Sequence, residues 1–175
     1  METEMMGNEL ESLSKETLIK LIKVYSRNWQ TLDGLWFGNV ETACGLDTAV
    51  KIDLINWEKQ AVIEAGRLKK ALEIKADSIA AVLTILSFMS WQLTSPLFEY
   101  ESETPSKAVI YYKQCAVQEG REKTGKPVFP CKNMKQTLLS GIAGVVNPEI
   151  MVKCISCPSD KPVADYWCKW ELSMA

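Results

Sequence analysis

Hydrophobic spacing changes once along this chain. Through the first half, apolar residues recur every three or four positions; from about Leu97, every second residue is apolar over several short stretches. The first spacing is that of an amphipathic helix and the second that of a strand with one buried face. Blocks of each kind, rather than strict alternation, predict an α+β fold.

Ser14 is placed to cap a first helix, whose stripe runs through Leu18, Leu21, Ile22, Tyr25, Trp29, Leu32 and Trp36 and ends at Cys44-Gly45. A second helix begins at Leu46, with Val50, Leu54 and Trp57 on its apolar side. A third spans Val62 to Leu72, with Glu64 and Arg67 paired one turn apart, and a fourth runs from Ser78 to about Trp91, capped by Asp77 or Ser78. Strands follow at Leu97–Glu103 and Lys107–Gln114, turning at Thr104-Pro105-Ser106. Helices are expected at Val117–Lys123, closed by Gly125, and at Lys132–Val146, stopped by Asn147-Pro148.

The last strands, Glu149–Cys157 and Asp165–Ser173, flank a loop from Pro158 to Ala164. A hairpin symmetric about Lys161 sets Cys154 opposite Cys168 and Cys157 opposite Asp165. Ile150, Val152 and Cys154 then share the core face with Tyr166, Cys168, Trp170 and Leu172, while Lys153, Lys169 and Glu171 point away. The expected architecture is a loosely held tail, 1–13, and one domain, 14–175. In that domain a helical N-terminal half packs on a four-stranded, mainly antiparallel sheet with a helix inserted between the strand pairs.

Composition narrows the chemistry. The net charge of −2 requires no basic face, so no nucleic-acid partner is expected. Histidine is absent, which excludes a Ser-His-Asp triad, a Cys-His pair and a His-ligated zinc hydrolase. Acid–base work falls to carboxylates, thiols, tyrosines or lysines. Ser78 to Phe98 carries no charge over 21 residues, but it includes Gln92, Pro96 and six serines or threonines. It reads as a core helix running into a strand, not a membrane span. Met1 to Leu13 is polar and acidic, without the pattern of an export signal, and the expected location is the cytoplasm.

In such a compartment the six cysteines read as thiols or metal ligands more naturally than as a disulfide framework. Five fall in the last third: Cys115, Cys131, Cys154, Cys157 and Cys168. The C-x-x-C of Cys154 and Cys157 resembles half of a zinc knuckle. With Cys168 and either Cys131 or Cys115 it would hold zinc or an iron–sulfur cluster. Buried free thiols and a disulfide are the alternatives. In the helical half, Asp33 and Glu41 lie two turns apart and are expected to form a carboxylate pair facing an aromatic pocket of Trp29, Trp36 and Phe37, with Arg67 completing the ligand-binding set. Burial there raises a carboxyl pKa and suits a general acid; the alternative has these acids capping helices or pairing with Arg27 and Arg67. Glu119 and Arg121, following Cys115, read as a surface ion pair or, alternatively, as a charged rim at the sheet edge.

Several blocks resemble a family of uncharacterised prokaryotic cytosolic proteins: N-W-x-x-x-D-G-x-W-F at Asn28–Phe37, E-A-x-R at Glu64–Arg67, C-x-V-Q-E-x-R at Cys115–Arg121, C-I-x-C-P-x-D at Cys154–Asp160 and Y-W-C-x-W at Tyr166–Trp170. The C-terminal half is more distantly similar to the L-2-amino-thiazoline-4-carboxylic acid hydrolase family. Cys115, Glu119, Cys131, Asn147-Pro148 and Cys168 follow that family's order, with Ala116 in place of its proline. This resemblance implies a small-molecule site between the aromatic helix and the sheet that hydrolyses a C–N or C–S bond in a small carboxylated heterocycle. Cys115, Glu119, Cys131 and Cys168 would line it, with Asp33 or Glu41 as acid or base. The alternatives are a non-catalytic ligand-binding or sensing module with a structural cysteine–zinc site, and a homodimeric scaffold joined through the sheet edge or apolar helices.

Overall fold

A computed structural model describes residues 9–94, 98–158, 160 and 165–174. The elements run α1 (Glu9–Ser12), α2 (Lys15–Cys44), α3 (Leu46–Ala71), α4 (Ile79–Phe88), β1 (Glu99–Thr104), β2 (Lys107–Tyr112), α5 (Ala116–Lys123), α6 (Lys132–Val146), β3 (Met151–Ser156) and β4 (Cys168–Ser173). All strand pairs are antiparallel, in the order β1-β2-β4-β3. The fold is the expected α+β, with its longest helices in the N-terminal half and α5 and α6 between the two strand pairs. No helix among the described residues is long and apolar enough to cross a membrane.

Local chemistry sets the helix ends. The Ser14 hydroxyl accepts the Thr17 amide at 3.2 Å to start α2, and the Ser78 hydroxyl accepts the Ala81 amide at 3.4 Å to start α4. Gly45, at φ 83°, ends α2 and opens α3, a conformation that costs a side-chain-bearing residue far more. The expected second and third helices are one. Between Leu46 and Ala65 there is neither glycine nor proline, and Trp57, Ala61 and Ala65 continue one buried stripe at four-residue spacing. The intended pairing of Glu64 with Arg67 is also replaced: the Glu64 carboxylate accepts the Ser90 backbone amide and, at 3.2 Å each, the Ser90 hydroxyl and the Gln60 amide.

The core lies between the inner face of the sheet and α3, α4 and α6. Ile85, Leu86, Ile110, Leu139, Ile142, Trp170 and Leu172 are fully enclosed there; burying each such side chain is worth about 1.5–3 kcal/mol. Helix α6 crosses α3 closely enough that a Cβ on Gly141 would stand 3.2 Å from Val62 Cγ2. Lys69 at the end of α3 donates to the Val145 carbonyl at 2.9 Å, satisfying the C-terminus of α6.

The last hairpin departs from the expected register. Cys154 stands opposite Trp170, not Cys168, and Lys153 opposite Glu171. A shift of two residues keeps every side chain on its face, so Cys168, Trp170 and Leu172 are buried as expected. The ladder then shifts by one between Cys154 and Ser156. Such a bulge inverts the in–out alternation beyond it, and Cys157 is fully buried in consequence. Leu97 and the supposed hairpin centre at Lys161 lie outside the described residues, as does most of the tail, of which residues 9–12 form α1.

Candidate functional site

Segment ends from both strand pairs meet at one end of the sheet, where β2 and β3 finish and β4 begins. Cys131 occupies the N-cap of α6, at the end of the loop that follows α5. That loop is fixed by Gln118 of α5, whose amide exchanges two hydrogen bonds with the Phe129 backbone at 2.8 and 3.0 Å, and by Arg121, whose Nε donates to the Pro127 carbonyl at 2.6 Å. The Gln118 amide nitrogen is also 3.6 Å from Cys131 Sγ. Cys157, turned inward by the bulge, brings its Sγ to 3.8 Å from Cys131 Sγ. One helical turn beyond Cys131, Lys135 sets its ammonium 3.9 Å from the centre of the Tyr112 ring. Tyr112 in turn pairs across the ladder with Cys168.

These neighbours separate the thiols electrically. The hydrogen bond from Cys157 brings Cys131 down to about 7 against the opposing cost of burial, and the Gln118 amide and the Lys135 charge act in the same direction. Cys157 is pushed up, by sharing its hydrogen with Cys131 and by burial. Burial pushes Cys168 up to about 11 and raises Cys115 and Cys154. Cys131 is therefore the one thiol in this cluster held toward its thiolate, and it is partly open to solvent.

The other expected site residues fall in several places. Cys115 is the N-cap of α5, and the Glu119 carboxylate accepts its backbone amide at 3.0 Å, so this pair closes a helix start. Arg121 is buried beneath that helix instead of forming a charged rim. Cys131 and Cys157 touch, but no group of three or more Cys, Asp or Glu side chains among the described residues is gathered as a metal site. Cys44 is exposed at the end of α2.

Asp33 and Glu41 do not share a pocket. Glu41 forms a two-point ion pair with Arg121, at 3.1 and 2.9 Å, and a further one with Lys126 at 2.9 Å. Its partners are neither Arg27 nor Arg67, and Arg67 is exposed. The aromatic residues also divide. Trp29 packs edge-on against Trp57 at 5.3 Å, Phe37 packs against Phe129 at 5.1 Å, and Trp36 is exposed.

Asp33 instead lies toward α3, near enough to Asp53 for its charge to act on that carboxyl. A cavity of about 310 Å³ opens there between α2 and α3, lined by Trp29, Asp33, Asn56, Trp57 and Gln60 among others. Asp53 is 5% exposed. Burial and the neighbouring Asp33 hold its carboxyl up at about 7, with the Trp57 indole opposing; Asp33 is raised by burial.

Sequence reading passed over Asp53, Gln118, Lys135 and Tyr112. Lys135 carried a usable signal, since it lies four residues beyond Cys131 and hence on the same helical face. Asp53 stood in the apolar frame with Trp57, also four residues on.

A family model described as "Family of unknown function (DUF6125)" matches residues 11–174. No curated protein and no solved structure matches the chain.

Proposed function

The chain belongs to that family of unknown function, and we propose that it acts through a thiol site in which Cys131 is the nucleophile and Cys157 its partner, working on a small-molecule disulfide or another thiol-reactive compound. The observation that carries this reading is the 3.8 Å approach of the two sulfurs, with Cys131 lowered to about 7 and partly open to solvent while its partner is buried. A partly accessible thiolate near a cation is the arrangement reactive cysteines have.

In exchange with a small disulfide, the Cys131 thiolate attacks one sulfur and breaks the substrate's S–S bond. The leaving thiolate takes the proton of Cys157. The Cys157 sulfur then displaces the second substrate thiol from Cys131, leaving a Cys131–Cys157 disulfide and two free small thiols. Hydrolysis of C–N or C–S bonds would start from the same Cys131 thiolate, because burial raises the Cys115 thiol and the Glu119 carboxylate is engaged by the Cys115 backbone amide.

A second reading is favoured by the same distance. Two cysteines on one tetrahedral zinc, each about 2.3 Å from the metal, hold their sulfurs roughly 3.8 Å apart. Cys131 and Cys157 have that separation, and both Cys154 and Cys168 would have to move in to complete a tetrahedral set.

Alkylation rates followed by mass spectrometry across pH 5–9 test the first reading. The expected result is one fast thiol with a midpoint near 7, lost in Cys131→Ser. Oxidised glutathione is expected to leave an internal disulfide in the wild type and a persistent mixed disulfide in Cys157→Ser. Six thiols that all react slowly until alkaline pH would refute it. One zinc per chain on elemental analysis, released by Cys131→Ser, would select the metal reading.

A further inference from the structure

The two lysines that open α6 are answered differently. Lys132 pairs with Asp160 at 2.8 Å. Lys135, one turn further on, forms no ion pair with a carboxylate among the described residues; the acidic groups that act on it are Tyr112, Cys168 and Cys115, and burial raises all three. Its ammonium rests on the Tyr112 ring, 3.9 Å from the centre. A ring face holds a cation without neutralising it. Tyr112 itself is buried, and its hydroxyl has no hydrogen-bond partner. This corner of the fold therefore carries donors and a positive charge but is short of acceptors.

We propose, on the thiol reading above, that Lys135 selects the substrate by its charge: it holds a carboxylate on the half of a small disulfide that becomes joined to Cys131. The Lys135 amide donates to the Cys131 carbonyl at 2.8 Å, closing a helical turn, so the two side chains leave the same face of α6. Both residues are partly open to solvent. A carboxylate two carbons from the reacting sulfur reaches about the length of one turn, ~5 Å. The exchange itself creates the need for it. As Cys131 attacks, its thiolate becomes part of a neutral mixed disulfide, and the negative charge leaves on the departing thiol. Lys135 then faces no anion unless the captured half brings one, and a partly buried cation left alone is costly.

Three disulfides with equal two-carbon arms test this on the full-length chain: 3,3′-dithiodipropionate (anionic), 2-hydroxyethyl disulfide (neutral) and cystamine (cationic). The rate of mixed-disulfide formation at Cys131 is followed by mass spectrometry and divided by each compound's rate with free dithiothreitol, which removes differences in intrinsic reactivity. The wild type is expected to prefer the anionic over the neutral compound by about tenfold, and the cationic one least. Because one thiolate attacks all three, the ratio does not depend on how far Cys131 is ionised. The preference is expected to vanish in Lys135→Met and to survive in Lys135→Arg, in Tyr112→Phe, which keeps the ring, and in Lys132→Met, which removes the cation already paired. Should Lys135→Met fold poorly, the wild-type ratio still decides. Anionic and neutral compounds reacting equally at Cys131 would overturn the inference and leave the thiol reading standing, as would a preference kept in Lys135→Met or lost in Lys132→Met. No reaction of any of the three at Cys131 would remove both.

Discussion

Glu41 and Arg121, 80 residues apart in the chain, meet through both oxygens and two guanidinium nitrogens in a largely buried pair. Arg121 also holds the Pro127 carbonyl, and Lys126 joins Glu41 from the outer side. The pair thus fastens the end of α2 to α5 and to the loop that delivers Cys131. Arg121 first, and Lys126 with it, hold the Glu41 carboxyl down at about 2.

Removing one member leaves the other buried and unpaired. Glu41→Gln is expected to cost about 3–5 kcal/mol of unfolding free energy, measured with urea at pH 7. The pH dependence has a fixed sign. Because the folded carboxyl lies below its unfolded value, its contribution is complete above about pH 4.5 and is lost as pH falls toward 2. The wild type should therefore lose stability across that window more steeply than Glu41→Gln; parallel acid limbs would contradict the assignment.

Lys135 is a cation whose charge reaches the thiol cluster. Its charge favours the thiolates of Cys131 and Cys168 and opposes the burial that raises them. Lys135→Met preserves much of the side-chain volume and removes the charge. The midpoint of Cys131 alkylation is expected to move to higher pH, with secondary structure unchanged. A midpoint that stays in place would mean that the Cys157 and Gln118 contacts alone set the reactivity of Cys131.

Asp53 acts in the opposite sense to Glu41. Burial, then Asp33, raises its folded carboxyl to about 7. The folded state therefore binds the proton more tightly than the unfolded chain, and stability falls as pH rises from about 4 to 7. Asp53→Asn removes that penalty while keeping the shape. It is expected to stabilise the protein by roughly 2–4 kcal/mol at pH 8 and by little at pH 4. Thermal melts of both proteins across that range give the difference, and a gain independent of pH would refute the cause.

What could be read beforehand depended on how local its cause was. The limits of α6, Lys132–Val146, and the ends set by Ser14 and Gly45 depend on neighbouring residues, and the structure has them there. The faces of β3 and β4 were legible because burial enforces parity; the pairing register was not, because a slide of two residues preserves parity. The bulge at Ile155 leaves no mark in the alternation before it, yet it is what turns Cys157 toward Cys131. Glu41 with Arg121 was out of reach for a different reason: either residue alone reads as part of a solvated face, and only the packing of α5 on the end of α2 brings them together.

The two glycines of α6 near its crossing with α3 differ in a way that only packing reveals. A Cβ on Gly141 would meet Val62 at 3.2 Å and Ala61 at 3.7 Å, while one on Gly144 would meet nothing within 4 Å. Both sit in a helix, where alanine is favoured over glycine by about 0.8–1 kcal/mol. Gly144→Ala should therefore stabilise the protein by up to about 1 kcal/mol. Gly141→Leu must push α6 away from α3 and is expected to cost about 1–3 kcal/mol, or more if Lys69 loses its hold on the Val145 carbonyl. Urea denaturation of the two variants gives opposite shifts if α6 packs on α3 through Gly141. Shifts of the same sign would mean that the helices cross elsewhere.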